Sequence, residues 1–393
     1  MKKESGFILI TGLMTILILT ILSIVALSMV SSELRFSSND GDSKRSFYIA
    51  EAGVEEVRAR MQATSSNPIL DQSPDNPNWK LFVGPLADAI QKGFDSHNPN
   101  HVRYDKLTDL NYTVTVSHKI NGFKQVLRWG DANDDGLPEE NPTVGKPIYV
   151  ITSEGKAETG PAKKVRIEAS SFPKFTKLSA LYTKQPTRIL GSSTYITGID
   201  QCASAASVPG ILSKSNVDLS GGPVIEGFPM AMVTNDSTDL KIDKMIDSLK
   251  SKANYKYSYL SDQTLTGESW GTPSPGASPE SPTSCRARNF VYFDMNGNKL
   301  KLSGGTTGCG VLMLNGDLEI NADFHWYGPI LVTGSIKATG GGEKNVTGMV
   351  LSGGTGEVDE VGGNTAILFC GEAIDFQTQE MPLVVLRWEE IHG

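Results

Sequence analysis

The chain begins MKKESG and continues with FILITGLMTILILTILSIVALSMV, from Phe7 to Val30, a run of twenty-four residues without a charged side chain. As a helix that rises about 1.5 Å per residue, this run is roughly 36 Å long, enough to cross the ~30 Å hydrocarbon core of a bilayer. Lys2 and Lys3 precede the run, and Glu33 is the first charge after it. Because positive residues favour the cytoplasmic side, we predict a cytoplasmic N-terminus and place the rest of the chain outside.

Two common kinds of apolar N-terminal segment do not account for this stretch. A secretory signal has an apolar core of only about 7 to 15 residues that ends at a small-residue cleavage site. A plain single-pass anchor explains the length of the run. It does not explain why Gly6 and Phe7 stand where polar sequence gives way to apolar sequence.

The junction of Gly6 and Phe7 resembles the class III leader of type IV pilins. A prepilin peptidase cuts that leader after the glycine on the cytoplasmic side, so Phe7 is the expected mature N-terminus. Further on, the segment from 32 to 61 contains the pattern Phe-x-x-Ala-Glu-Ala-Gly and resembles the N-terminal domain of minor pilins of the PilX type. The residues of this pattern are Phe47, Ala50, Glu51, Ala52 and Gly53.

The resemblance implies a structural protein of a type IV pilus, or fimbrium. Such a pilin is held in the inner membrane with its C-terminus in the periplasm until its leader, residues 1–6, is removed. Its helix then joins other pilins in an extracellular filament. The motifs cover about the first 60 residues and leave the remainder to be interpreted from its own pattern.

One position departs from the pattern of major pilins. They have a glutamate at the fifth mature position, which pairs with the terminal amine of a neighbouring subunit, whereas this chain has Thr11. An unpaired carboxylate in hydrocarbon costs several kcal/mol, so the glutamate is useful only where a neighbour neutralises it. Thr11 therefore predicts an assembly position without a subunit above it, at the filament tip. The alternative is that threonine is simply tolerated in the helix.

Composition narrows the class of protein. A net charge of -8 and a pI near 5.3 argue against a nucleic-acid partner. Forty glycines and twenty prolines are typical of a turn-rich β architecture. Four cysteines follow the membrane segment, where disulfides persist: Cys202, Cys285, Cys309 and Cys370. We therefore expect an α+β protein that is mainly β.

The residues from 7 to 176 are expected to form a long helix and a pilin-like sheet. The helix is predicted over 7–61, with a turn-prone interruption at 39–42 and an apolar stripe that includes Phe47, Ala50 and Val54; charged residues, among them Glu56 and Arg60, lie off this stripe. In the domain from 62 to 176, a short helix is expected near 85–93. Alternating residues predict an antiparallel meander of four strands, at 112–116, 124–129, 148–152 and 164–168.

An acidic stretch between two of these strands is a candidate calcium site. Oxygen ligands at alternate positions, a glycine at the sixth position and a backbone carbonyl at the seventh are typical of calcium loops. Position twelve is Pro142, so the pattern is incomplete and later glutamates would have to finish the shell. The candidate ligands are Asp131, Asn133, Asp135, Leu137 through its carbonyl, Glu139 and Glu140. The alternative is a solvated acidic turn.

From residue 177 to 393 the pattern indicates a right-handed β-helix-like domain, or β-solenoid. Short apolar steps end at Gly316, Gly334, Gly353 and Gly371, which are 18, 19 and 18 residues apart. A repeat near 20 residues is typical of rungs that bury their apolar faces by stacking. We expect one inward ladder, formed by Leu314, Val332, Leu351 and Phe369.

Two insertions interrupt this repeat: an amphipathic helix at 239–252 and an exposed Pro/Ser-rich loop at 264–287. The repeat also limits the disulfides. Cys309 and Cys370 lie three rungs apart, about 14 Å at ~4.8 Å per rung, which exceeds disulfide reach. This pairing, and with it Cys202 to Cys285, is disfavoured unless a single bridge forms; the other two pairings remain open.

The sequence thus predicts a non-enzymatic minor pilin that primes assembly and caps the tip, where it could contact a surface or an adhesin. Alternatives are the capping pseudopilin of a type II secretion system, a membrane-anchored adhesin and a β-helix enzyme that acts on glycans. The enzyme would use acids such as Asp317, Glu319 and Asp323, but a fold by itself does not establish an activity. His97 and His101 offer no convincing zinc spacing.

Overall fold

The computed structural model describes residues 5–62, 68–273, 285, 289–354, 358–376 and 383–391, with side chains from Ile10 onward. The helices are α1 (Ser5–Met61), α2 (Leu86–Gln91), α3 (Ile242–Leu249), which continues as a 3-10 turn (Lys250–Lys252), and α4 (Gly371–Phe376). The first strands are β1 (Lys80–Val83), β2 (His101–Tyr104), β3 (Tyr112–His118), β4 (Arg128–Gly130), β5 (Glu139–Asn141), β6 (Lys146–Pro147), β7 (Tyr149–Gly155) and β8 (Lys163–Ser170).

The later strands are β9 (Leu181–Thr183), β10 (Thr187–Leu190), β11 (Tyr195–Thr197), β12 (Ile211–Ser213), β13 (Val217–Ser220), β14 (Val224–Glu226), β15 (Met232–Val233), β16 (Tyr255–Ser258), β17 (Gln263–Thr266), β18 (Ser269–Trp270), β19 (Asn289–Ser303), β20 (Thr306–Ile320), β21 (Phe324–Val332), β22 (Ile336–Ala338), β23 (Lys344–Ser352), β24 (Asp359–Gly362), β25 (Thr365–Phe369) and β26 (Val384–Ile391). The chain divides into two compact units. The first comprises Met1–Val126, Ile148–Ser170 and Leu383–Gly393, and the second Leu127–Pro147 and Ser171–Pro382.

The first unit packs the C-terminal part of α1 on a six-stranded sheet with the order β2-β1-β3-β7-β8-β26. Strands β3, β7 and β8 form the expected antiparallel meander. Along β7 the side chains alternate between buried and half-buried, because one face of the sheet meets the helix. Val54 and Val57 of α1 join Val114, Ile151 and Ile167 of the sheet in one apolar core.

The structure corrects two strand assignments in this unit. The predicted strand at 124–129 is not part of the meander, since β4 starts only at Arg128 and pairs with β5 and β6 in a separate three-stranded sheet of the second unit. The C-terminal segment assigned to the solenoid forms β26, which pairs antiparallel with β8. The predicted solenoid boundary at 177–393 is therefore wrong at its C-terminal end.

The second unit is thus inserted into the sheet of the first. Val384 of β26 lies opposite Ser170 of β8, so the chain leaves the sheet at 170 and returns beside its point of departure. The segment Leu127–Pro147 is a shorter excursion of the same kind, between the paired strands β3 and β7. Two neighbouring strand ends are a suitable place for insertion, because domain termini that lie close together leave the host sheet intact.

The second unit contains a curled sheet of seventeen strands whose pairings are all parallel, in keeping with a β-helix-like arrangement. Buried side chains stack from rung to rung. One inward ladder runs along β17, β19, β20, β22, β24, β10 and β13 as Leu265, Leu302, Ile320, Ala338, Val361, Ile189 and Leu219. Where a side chain needs room, its neighbour is glycine: a Cβ on Gly308 would lie 2.0 Å from the ring of Trp326.

The chain enters this stack in its middle. Strands β9, β10 and β11 form the first rung, and the next rung, β12 to β14, stacks on one side of it. After α3 the chain resumes at the far end with β16 and returns rung by rung. The last rung, formed by the end of β23 with β24 and β25, pairs with the opposite side of β9 to β11. We call this junction between the first and last rungs the seam.

The predicted inward ladder is wrong in register. Leu314 does lie opposite Val332, but Val332 lies opposite Ser352, while Leu351 pairs with Leu331 and Phe369 with Gly348. Paired residues are 18 apart between β20 and β21 but 20 apart between β21 and β23, because the turns differ in length. A regular glycine spacing therefore does not fix which side chains face each other.

The predicted insertions are partly confirmed. Within 239–252 the helix α3 buries Ile242, Met245, Ile246 and Leu249. The Pro/Ser-rich segment 264–287 is not a loop throughout, since it includes the end of β17 and all of β18. Residues 274–284 and 286–288 lie outside the described part of the chain.

A polar corner lies inside the stack at the seam. Ser352, Thr183 and Ser213 occupy successive rungs and are fully buried. Thr183 donates to Ser213 at 2.9 Å, and Ser352 donates to Asp359 at 2.8 Å. Burial raises the pKa of the Asp359 carboxyl to about 7, although the N–H of Ile336 and the hydroxyl of Ser352 act in the opposite direction. The carboxyl is therefore partly protonated at neutral pH.

Two disulfides join Cys202 to Cys370 and Cys285 to Cys309, with Cα atoms 5.2 and 5.8 Å apart. This is one of the two pairings that the sequence left open, and the disfavoured pair, Cys309 with Cys370, does not occur. The bridge from Cys202 to Cys370 crosses the seam and closes a span of 168 residues, whereas the other closes 24.

We expect the seam disulfide to contribute more stability than the other. Loop-closure entropy gives about 5 kcal/mol for the longer span and about 3 kcal/mol for the shorter one. Thermal unfolding of the full-length protein in detergent should therefore show a larger drop in Tm for C202S/C370S than for C285S/C309S. Equal drops would mean that the long span does not set the contribution of the seam bridge.

Candidate assembly helix and acidic loop

The first half of α1 presents an uninterrupted apolar surface. From Ile10 to Val30 its large apolar side chains are 44% to 69% exposed. The most apolar window of this helix has a mean hydropathy of 2.7, and by length and composition it is the one helix of the described chain able to cross a membrane. Exposing such an apolar surface to water is unfavourable, so we expect it to be covered by lipid or by other apolar helices.

Polar side chains within this segment are satisfied by the helix itself. Thr15 donates to the carbonyl of Thr11 at 2.6 Å, Thr20 to that of Leu17 at 2.7 Å, and Ser23 to that of Leu19 at 2.8 Å. These three hydroxyls have their hydrogen bonds within the helix, which makes the residues compatible with hydrocarbon. Thr11 is exposed on the helix surface. Gly6 and Phe7, the predicted processing residues, lie in the part of α1 for which the structure describes the backbone only.

The helix continues without a break through the predicted interruption at 39–42. Lys44 and Asp40 form an ion pair of 2.7 Å one turn apart, which favours the helical conformation here. A Cβ on Gly41 would meet nothing within 4 Å. A glycine in a helix is unfavourable but tolerated, and α1 therefore spans lipid-facing and sheet-packed segments as one rod.

The Phe-x-x-Ala-Glu-Ala-Gly pattern marks the closest approach of α1 to its sheet. A Cβ on Gly53 would lie 2.4 Å from Oγ of Ser153, and a Cβ on Gly155 would lie 2.3 Å from the backbone N of Ala50. Ala50 is fully buried. The pattern therefore has a physical reason, because only small residues allow the helix and strand backbones to come this close.

A buried polar group fixes the end of α1 next to this contact. Glu56 and Arg60, predicted to lie off the apolar stripe, are both buried and form an ion pair of 2.5 Å. The hydroxyl of Tyr112 donates to Glu56, and Arg60 donates to the carbonyl of Asp105 at 2.6 Å. Burial, together with the hydrogen bond to Glu56, raises the pKa of Tyr112 to about 12. These hydrogen bonds orient the end of α1 on the sheet, where the remaining contacts are apolar.

The acidic stretch forms a compact loop between β4 and β5. Asp131 accepts the backbone N–H groups of Asp135 at 3.0 Å and Gly136 at 2.8 Å, as well as the hydroxyl of Thr176. Asn133 and Asp135 cap the N–H groups two residues further on, at 3.1 and 2.8 Å. Gly136 has φ +86°, so the sharp turn expected at the sixth position is present.

The later candidate ligands serve the same turn. Glu139 accepts the N–H of Ala132 at 2.8 Å, which ties the end of the loop to its start, and Leu137 packs against the core of the second unit. Glu140 lies opposite Trp129 at the start of the next strand. The loop, which is described throughout, brings no three carboxylates within 4.8 Å of one another. Calcium would have to draw them together.

Within the described residues, three potential ligand groups do meet that distance: Asp200, Cys202 and Cys370. Both cysteines are joined in the seam disulfide, so neither offers a thiolate. Asp200 accepts backbone N–H groups of Ser204, Ala205 and Gly371, which lower the pKa of its carboxyl against the effect of burial. This group stabilises the seam and is not a metal centre.

The acids considered for glycan cleavage also have structural partners. Asp317 accepts the N–H and hydroxyl of Ser335 at 2.7 and 2.9 Å. Glu319 pairs with Lys301 at 3.0 Å, and Asp323 accepts the N–H of Glu343 at 3.2 Å. Each contact joins one rung to another, so these acids have structural roles in the stack.

Residues 5–55 match the family model described as PilX N-terminal. This N-terminal segment is therefore similar to the PilX N-terminal domain. No curated protein and no solved structure matches the chain. Pilins of the PilX type are structural proteins that interact with other pilus components, and the domain together with the long apolar helix indicates membrane anchoring and a pilus.

Sequence reasoning missed several contacts of the PilX N-terminal domain with the rest of its unit. Phe47 of the motif packs edge-on against Trp388 of β26, with ring centroids 6.0 Å apart. The alternating segment Val384–Ile391 could have identified this strand. Its position far from the other strands, after a long solenoid, made it read as one more rung. The buried roles of Glu56 and Arg60 left no signal in the apolar pattern.

Two glycines of α1 provide a matched test of the helix-to-sheet contact. Gly41→Ala should stabilise the protein by about 1 kcal/mol, because it adds helix propensity in open space. Gly53→Ala gains the same propensity but collides with Ser153, and should lower Tm. Circular dichroism melts of the two full-length variants in detergent measure the difference. A higher Tm for Gly53→Ala would show that this close approach does not restrict the side chain.

Proposed function

We propose that the protein is a minor pilin of a type IV pilus that primes assembly and caps the filament tip, with a structural and adhesive role and no enzymatic one. The observation that carries this proposal is the single rod of α1. Its first half has an apolar surface with no partner in its own described chain, and its C-terminal part is packed on a sheet. The PilX N-terminal match begins in the apolar half and extends into the sheet-packed part.

The proposed assembly follows from that geometry. The helix is held in the inner membrane with the two folded units in the periplasm, and a prepilin peptidase cuts between Gly6 and Phe7. The apolar half then leaves lipid and packs among the equivalent helices of other pilins. Thr11 supports the tip position, because a helix without the glutamate needs no amine from a subunit above it.

The inserted solenoid also supports a tip position. It adds Ser171–Pro382 to the pilin sheet, which is more than half of the chain. Closely stacked shaft subunits leave little room for such an insertion, whereas a tip subunit has solvent beyond it. The same reasoning applies to the capping pseudopilin of a type II secretion system, which remains the second candidate. A membrane-anchored adhesin would need no processing at Gly6.

Processing at Gly6 separates a pilin from a plain anchor. Gly6→Leu should leave the six-residue leader in place and keep the protein in the membrane, and Gly12→Ala, in the same helix, should be processed normally. Intact-mass measurement of the protein purified from membranes and from sheared filaments gives the N-terminus directly. A wild-type protein that begins at Met1 and never occurs in the filament fraction would contradict the proposal.

We also propose calcium binding by the loop from Asp131 to Glu140. Its turns already direct oxygens of Asp131 and Asn133 to the same N–H, that of Asp135, and a divalent cation would relieve the repulsion between the carboxylates of Asp131 and Asp135. The ligand set would be completed by the carbonyl of Leu137 and by Glu139 or Glu140.

Calcium should raise the Tm of the full-length protein, by an amount equivalent to about 2.7 kcal/mol at a concentration one hundred times Kd. Asp131→Ala and Asp135→Ala should remove this shift, and Asp109→Ala, an exposed acid in the other unit, should retain it. The quantity compared is the difference in Tm with and without Ca²⁺, since Asp131→Ala also removes structural hydrogen bonds. An unchanged Tm of the wild type in Ca²⁺ would dismiss the site.

A further inference from the structure

One end of the solenoid stack has a free edge. Strand β13 pairs with β10 and strand β14 with β11, and neither has a second partner among the described strands. From Val217 to Glu226 no residue is fully buried. We call these two strands, Val217–Ser220 and Val224–Glu226, the terminal edge.

The backbone of the terminal edge offers unused hydrogen-bonding groups. The carbonyls of Asn216 and Ser220 accept N–H groups of Thr187 and Gly191 in the next rung. Backbone groups alternate sides along a strand, so those of Val217 and Leu219 point away from the stack. Such an edge can accept a further strand.

The apolar interior is open at this edge. Leu219 ends the inward ladder, where Ile189 beneath it is fully buried but Leu219 itself is 49% exposed. Phe228 and Met230, in the turn that follows β14, are 66% and 55% exposed. A further strand would cover Leu219 as each rung covers the one below it.

The outward side chains specify what should lie opposite. A second ladder alternates in charge along the outer face, as Lys301, Glu319, Lys337, Glu360, Arg188 and Asp218. It ends at the terminal edge on Asp218, which is exposed and has an opposite charge on one side only. Opposite charges across neighbouring strands are favourable and like charges are not, so the next position calls for a cation.

The surrounding charge agrees with this requirement. Glu226 and Asp236 are the other acids between Ser215 and Thr238, a stretch without lysine or arginine, whereas Asp239 just beyond it is paired with Lys184, Lys214 and Lys241. At the opposite end of the stack the charged ladder does not end on an unpaired charge, because the uncharged Thr264 lies next to Lys301.

We propose that the terminal edge binds an extended segment of a partner protein as an additional strand. The segment carries a lysine or arginine opposite Asp218 and an apolar residue opposite Leu219. Backbone hydrogen bonds attach the segment, and the alternation of cationic and apolar side chains selects it. This docking surface does not depend on whether the protein primes or caps a pilus.

The test uses the full-length protein in detergent and two fluorescein-labelled peptides, one that alternates lysine with valine and one that alternates glutamate with valine. Fluorescence anisotropy should show about tenfold tighter binding of the lysine peptide, and detergent micelles alone give the background. Asp218→Lys should reverse the preference. Leu219→Pro should abolish binding of both peptides, because it removes a donor on the free side only.

Glu268→Lys is the matched control, an equal change in charge at a half-buried acid near the opposite end of the stack, and should leave binding unchanged. Circular dichroism melts confirm that each variant is folded. Equal affinity for the two peptides, or wild-type binding by Asp218→Lys and Leu219→Pro, overturns the proposal. Self-association in light scattering that Asp218→Lys abolishes would also overturn it, since the occupant would then be a second copy of the chain.

Discussion

The structure depends on one constraint, the apolar surface that α1 exposes from Ile10 to Val30. A soluble domain would fold this surface inward, but here the helix is one uninterrupted element whose C-terminal part is already packed on a sheet. The closeness of Gly53 and Gly155 to the groups that face them, and the buried pair of Glu56 and Arg60, hold that part in place. The apolar half must therefore be covered by something outside the chain. In the proposed pilin, lipid before assembly and other helices afterwards would satisfy this requirement.

The large solenoid is inserted between two strands of the sheet that holds α1, so it does not interrupt the packing of the helix on that sheet. The sheet that holds α1 is completed by β26, which comes after the solenoid in sequence but pairs with β8. The N-terminal helix and its sheet cannot be finished until the whole inserted unit has been made. The chain enters and leaves the solenoid in neighbouring rungs. This arrangement suits an inserted unit, because the connections to β8 and to β26 then start from the same region of the solenoid. An end-to-end solenoid would separate them by the full length of the stack.

The sequence predicted local features well and long-range ones poorly. The apolar run, the glycine motif and the meander of β3, β7 and β8 follow from periodicity within a few residues, as does the α3 helix. The seam, the position of β26 and the register of Leu351 depend on pairings across more than a hundred residues or on the lengths of individual turns, which a single sequence does not disclose. The acidic loop falls between these cases: its turn is confirmed, while its calcium binding remains a prediction. Phe-x-x-Ala-Glu-Ala-Gly could be recognised, but its reason, a collision at Gly53, needed the sheet.

The register at the seam, between β24 and β10, has to be fixed differently from the register between consecutive rungs. Between consecutive rungs a short turn limits how far one strand can slide, but no turn joins β24 to β10. Other contacts must fix the alignment: Glu360 lies opposite Arg188, the N–H of Asp359 donates to the carbonyl of Pro186 at 3.1 Å, and the disulfide of Cys202 and Cys370 holds the adjacent corner. A slip of one residue would turn Arg188 into the core and Ile189 out of it. The charged outer ladder and the apolar inner ladder therefore both disfavour a one-residue slip between β24 and β10. Because these two ladders fix the register, the buried polar side chains of Ser352 and Thr183 at the seam do not have to.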